Sequence, residues 1–216
     1  MKVTHIEPRW PVVLAVVAVL SLLIALPDRV RAFPSWVPFC LAIVLIVPMV
    51  VLSLTTAKAR WMQIEGIVIL LFLAIVGLAL AKALGYLVST MVRHSAEVTG
   101  LQLLNSSIAL WATNVLLFSL AYWRLDRGGP EARANGASTR PDWLFPQEGL
   151  SEYVPPDWNP TFIDYLFLAF DTATAFSPTD DLPLTSRAKL LMMLESMISL
   201  VTIIAVAARA INILGS

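Results

Sequence analysis

Apolar residues in this chain fall in long unbroken blocks, not in alternation and not in narrow stripes. Residues 10–26, 36–54, 64–92 and 101–123 form four such blocks. Two more follow a hydrophilic stretch: a short one at 160–176, and a long one that leaves from Ser186. A helix that is apolar all round is buried in protein or surrounded by lipid. Crossing a bilayer takes ~20 such residues. The pattern therefore predicts an all-α membrane protein. The first block is marginal in length and is followed by PDRVRAFPSW, which has no small-residue cleavage site, so it reads as a span and not as a signal peptide. Pro48 lies inside the second block and predicts a kink. The third block is longer than the hydrocarbon core requires and is divided by Lys82. That lysine either snorkels to an interface or sits within the bundle beside an acid.

The fourth block contains Asn105, Ser106, Ser107, Thr113 and Asn114, groups that in a span usually hydrogen-bond to neighbouring helices. Tyr122 and Trp123 close it as an aromatic belt pair would, with Arg124 behind them. Residues 124–159 form a hydrophilic linker. Its first part, GGPEARANGAST, has the composition of a mobile segment. Its second part sets Trp143, Phe145, Tyr153 and Trp158 among acids and prolines, and suits a stretch that packs on the protein, grazes the membrane surface or binds a partner.

The block at 160–176 holds Asp164 and Asp171 and ends in the polar turn SPTDDLPLT, which cannot continue a helix. Short helix, polar loop and full span, in that order, predict a re-entrant loop. Such backbone is tolerated at membrane depth only where protein or a water-filled cavity surrounds it. Thr185 or Ser186 is the expected cap of the last helix. Asp171 and Glu195 are carboxyls in apolar surroundings, and each needs a partner. Arg187 or Lys189 would serve Asp171. The short helix's backbone, Thr172 or Thr174 would serve Glu195.

Composition sharpens this. Hydrophobic residues make up 58% of the chain and charged residues 14%, and the mean hydropathy is +0.77. The formal net charge is zero, which gives no basic field for nucleic acid. Cys40 is the single cysteine and His5 and His94 are the two histidines, too few for a disulfide or a metal centre. No nucleophile–base constellation, HExxH or phosphate loop is present. Asp164 and Asp171 fall on one face of one helix, ~10 Å apart, which argues against an acid dyad. The expectation is a non-enzymatic protein with no cofactor.

At this point the residues resemble a family. Tyr165, Phe170, Thr172 and Thr174, then Asp180, Pro183 and Thr185, then residues 190–195 and 207–209, are similar in order to the pore module of tetrameric potassium channels. That resemblance covers about a quarter of the chain. It implies a pore helix at the short block and an ion pathway and filter formed by Thr172, Thr174, Ala175, Phe176, Ser177, Pro178, Thr179, Asp180 and Asp181. It also implies a pore-lining last helix, with Asp171 and Glu195 supporting the filter from behind and Ser199 at the usual hinge position. The filter segment has no glycine, and Pro178 lacks an N–H, so potassium selectivity does not carry over. The whole chain also resembles an uncharacterised family of bacterial multi-span membrane proteins. These resemblances imply a multi-pass protein of the cell membrane. It would have a four-helix region (1–123), a linker (124–159) and a pore-loop module (160–216). It would form a homo-oligomer, tetrameric by analogy, and conduct an ion whose identity is open. A non-conducting scaffold and a small transporter using Asp171, Glu195 and Lys82 are the alternatives.

The charges pull against one topology. A pore loop of the known type faces outward, which would put Lys2, Arg9, Lys58, Arg60, Arg124 and Arg127 outside and Arg29, Arg31 and Arg93 inside. The positive-inside rule prefers the reverse. Six full spans, with both termini cytoplasmic, would fit the charges and leave SPTDDLPLT as an external turn.

Overall fold

The computed structural model describes residues 7–54, 58–92, 100–134, 140–149, 152–155, 158–175 and 181–214. Helices dominate. They are α1 (Trp10–Ala25), α2 (Val37–Leu54), α3 (Lys58–Val92), α4 (Gly100–Leu125), the short α5 (Pro130–Ala134), α6 (Phe162–Ala175) and α7 (Ser186–Leu214). Two short strands, β1 (Trp143–Leu144) and β2 (Leu182–Pro183), pair antiparallel, with Trp143 opposite Pro183 and Leu144 opposite Leu182. Three of the described helical stretches are long and apolar enough to cross a membrane: Gln63–Thr90, Leu101–Gly128 and Ser186–Ala207. Trp10–Ala25 is a shorter apolar helix.

The apolar blocks become helices close to where the pattern puts them. Pro11 sits in the first turn of α1, where its missing N–H has no intrahelical role. α2 runs unbroken past Pro48. α3 begins at Lys58, six residues before its apolar block, because KARWMQ contains no helix breaker and extends the helix as a polar first turn and a half. It continues without interruption past Lys82. The exposed Lys82 ammonium donates to the Ala32 carbonyl at 3.2 Å in the α1–α2 connection, and so does not sit within the bundle beside an acid.

α4 is the hub. α1, α3, α6 and α7 all pack on it, and Leu110, Leu120, Tyr122 and Trp123 on it are fully buried. The Tyr122–Trp123 pair therefore does not form a lipid-facing belt. The Trp123 indole N–H donates to Glu7 at 2.9 Å, and its ring takes the Arg9 guanidinium at 5.3 Å and the Phe162 ring edge-on. These neighbours converge from the start of α1 and the start of α6 and draw Trp123 inward, while Tyr122 is drawn in by Glu195 on α7 and by the Trp143 ring.

The molecule has two distinct ends. At one end α4 terminates and residues 126–134 and 140–149 fold over it as a cap. α1 and α3 begin there too, since Arg9 pairs with Glu65 at 3.6 Å. Residues 130–134 of the segment expected to be mobile form α5 within this cap, and Arg133 donates from it to the Trp123 and Asp126 carbonyls at 2.9 and 3.0 Å. At Gly129, φ is +93°, and an added Cβ would crowd the Arg124 guanidinium and carbonyl, so the turn requires glycine. Trp143 and Phe145, two of the aromatics that offered a partner site, are buried in the cap, while Tyr153 stays 78% exposed. At the opposite end lie the α1–α2 connection, the end of α3 and the start of α4.

Candidate functional site: the α4, α6 and α7 cluster

α6 and α7 both begin at the capped end and both run antiparallel to α4. For α6, Tyr165 near its start donates to Asp126 at the end of α4 (2.6 Å), and Phe170 further along stacks edge-on against Trp111 at 6.0 Å. For α7, Arg187 donates to the Leu125 carbonyl (3.1 Å), and Ser199, about three turns on, meets Asn114. α6 has 14 residues, a length of ~21 Å. The chain is at the capped end before α6, at Trp143, and is again there by Leu182, the residue opposite Leu144.

Two buried aspartates fix this return. Asp126 accepts from the Tyr165 hydroxyl, from the Asp142 amide (2.7 Å) and from Arg127 (3.3 Å). Asp142 accepts from the Thr185 hydroxyl at 2.5 Å and from Arg187, and its carbonyl accepts the Leu184 amide at 2.8 Å. The end of α4, the cap, the start of α6 and the start of α7 are thus joined through two carboxylates. Hydrogen bonds to charged groups of this kind are about twice as strong as neutral ones. Thr185 also caps α7, accepting the Ala188 amide at 3.2 Å, as the sequence predicts. Glu7 does the same for α6, accepting the Phe162 amide at 2.5 Å.

Deeper in the cluster, hydroxyl and amide groups surround the carboxyl of Glu195. Glu195 is fully buried and accepts from the Tyr122 hydroxyl. The Asn114 amide donates to the Glu195 carbonyl at 3.1 Å and to the Ser199 hydroxyl at 3.0 Å. Ser196 donates to the Thr172 carbonyl at 3.2 Å. Glu195 Oε1 and Asn114 Oδ1 are buried with no protein donor. A third level, around Thr174, is a cavity of ≈ 280 Å³ lined by Ser107, Ile108, Trp111, Thr202, Ile203 and Val206.

The expected site residues divide as follows. Thr172 is buried and turns its hydroxyl back to the Leu168 carbonyl; Thr174 is exposed and bonds the Phe170 carbonyl, each at 2.8 Å. Ala175 ends α6 and is exposed, while Asp181 is buried. Phe176, Ser177, Pro178, Thr179 and Asp180 lie outside the described residues. Arg187 takes Asp142 and not Asp171, because the cap brings Asp142 to the first turn of α7. Glu195 takes Tyr122 from α4, and its neighbour Ser196 makes the bond to the α6 backbone that was expected of Glu195. Ser199 lies inside an unbroken α7, buried and bonded to Asn114. Lys82 and Glu195 share no partner: one reaches Ala32, the other Tyr122. Sequence reasoning missed Asp126, Asp142, Tyr122 and Glu7 as organising groups. The nearest available signal was the acid-and-aromatic composition of residues 142–158. Searched against family models, curated proteins and solved structures, the chain matches none.

Proposed function

We propose that the chain is one subunit of an oligomeric pore-loop ion channel, tetrameric by analogy, whose filter differs from that of potassium channels. In this reading α1, α2, α3, α4 and α7 are five membrane spans. α6 is a pore helix that goes part-way in, the filter lies within residues 172–181, and α7 lines the path. One observation carries the reading: Leu182, after α6, pairs with Leu144, before it. A crossing helix would have taken Leu182 to the far side. α6, at ~21 Å, is also shorter than the ~30 Å hydrocarbon core. Backbone that turns back inside a membrane needs protein or water around it, which is the physical reason for an oligomer. Carried round by symmetry, Asp180 and Asp181 would ring the mouth of the loop and concentrate cations, giving a weak cation preference.

Planar-bilayer recording of the purified protein tests this. The expected result is ionic current with a cation preference that falls in the Asp180→Asn/Asp181→Asn double variant. Absence of current for cations and anions alike, across voltage and pH, contradicts it. That outcome would favour a non-conducting membrane scaffold, a reading supported by the lack of glycine and the presence of Pro178 between Ala175 and Thr179.

A further inference from the structure

Two observations that conflict in the sequence become compatible once the ends of the molecule are assigned. The first is the charge asymmetry. Arg9, at the start of α1, lies at the capped end. So do Lys58 and Arg60 at the start of α3, Arg124, Arg127 and Arg133 in and before the cap, and Arg187 and Lys189 at the start of α7. Arg29 and Arg31, in the α1–α2 connection, lie at the opposite end, with Lys82 bonded to that connection and Arg209 near the far end of α7, so the capped end still holds the larger share. The second observation is the β1–β2 pairing, which brings the chain back to the capped end after α6. The six-span topology satisfies the charges but needs α6 to cross, and a crossing α6 cannot leave Leu182 beside Leu144. The outward-facing pore loop satisfies the pairing but puts the arginine-rich end outside.

Only one arrangement meets both. We infer that the capped end faces the cytoplasm, so that α6 enters from the cytoplasmic side and the C-terminal end of α7 lies across the membrane. The part of this that concerns α6 rests on the pore-loop reading; the choice of side rests on the charges. Insertion is decided by Lys and Arg in short loops near span ends, with little contribution from Asp and Glu. The ion pairs of the finished cap, Arg127 with Glu148, Arg187 with Asp142 and Arg133 with Glu7, therefore do not cancel the asymmetry, because they form after the chain has been inserted. Those pairs explain instead how so many guanidinium groups share one end without mutual repulsion. Exposed aromatics agree with two interfaces: Trp10 (63%) at the capped end and Trp36 (63%) at the other.

Side-resolved thiol labelling tests the inference in the full-length protein carrying Cys40→Ala. Single substitutions Ser35→Cys, Ser138→Cys and Leu182→Cys are probed in right-side-out membrane vesicles with a membrane-impermeant maleimide, before and after permeabilisation. The expected result is direct labelling of Ser35→Cys, with Ser138→Cys and Leu182→Cys gaining about tenfold or more only after permeabilisation. Direct labelling of Ser138→Cys and Leu182→Cys, with Ser35→Cys protected, overturns the orientation and leaves the return of α6 standing. Equal labelling of Ser35→Cys from both sides also overturns it. Labelling of Ser138→Cys and Leu182→Cys from opposite sides overturns the pore-loop reading itself.

Discussion

α1, α2 and α3 hold together differently from α4, α6 and α7. In the first group Val12, Val16, Val19, Phe72 and Val76 are buried against apolar neighbours, and the side-chain hydrogen bonds mostly return to nearby backbone. Ser21 bonds the Val17 carbonyl, Thr90 bonds that of Tyr86, and Lys82 reaches the Ala32 carbonyl at the rim. The second group has such local bonds too, Thr113 to the Ala109 carbonyl and Thr172 to that of Leu168 among them, but adds bonds that run between elements: Tyr122 to Glu195, Asn114 to Ser199, Ser196 to Thr172, Tyr165 to Asp126. Apolar packing tolerates small shifts in register, because one methyl group substitutes for another. A hydrogen-bonded pair inside a dry interior has one good geometry and a large cost for leaving it. The three-helix cluster is therefore the part of the molecule whose arrangement is specified, and α1–α3 are the part that surrounds it.

Substitutions can break that comparison. The largest effect is expected at Asp126→Ala, which strips the acceptor from Tyr165, the Asp142 amide and Arg127 together. Removing one partner of a buried charged pair costs about 3–5 kcal/mol. Equilibrium unfolding in detergent should show a loss of that size; a change near zero would mean the cap does not hold α6. Asn114→Leu comes next. It keeps the volume but leaves Ser199 and the Glu195 carbonyl without their donor, and interhelical bonds of this kind contribute about 0.6–2 kcal/mol. The same unfolding experiment reads it, and a stabilised variant would show that the cluster is held by packing alone. The smallest effect is expected at Leu78→Ala on α3, a side chain 72% exposed, within about 0.5 kcal/mol. A loss comparable to that of Asn114→Leu would mean that this face is covered by something specific.

The helices were legible in the sequence because long apolar blocks leave little choice. Both α6 and α7 lie within a few residues of the expected limits, and the Thr185 cap follows from a hydroxyl placed before a helix-forming run. The short block and the polar turn after it pointed to a return, but the feature that fixes the return is not local. Tyr165 and Asp126 are far apart in the chain, as are Asp142 and Arg187, and nothing in either neighbourhood names its partner. Tyr122 illustrates the same limit. At the end of an apolar block an aromatic reads as an interface residue; the fold instead lays a cap and two helices over it, and its hydroxyl becomes the donor to Glu195. The charges were legible as an imbalance but not as an orientation, because that needs each loop assigned to an end.

The central claim is that the chain comes back to the end from which α6 departs. Leu144→Cys and Leu182→Cys, introduced together on Cys40→Ala, test it in the intact membrane. Antiparallel partners lie about 4.5–5.5 Å apart at Cα, within the usual range for a disulfide. The account predicts rapid intramolecular disulfide formation under mild oxidation, read as a gel-mobility shift reversed by reductant. Two thiols that stay free, each labelled from a different side of the membrane, would contradict it.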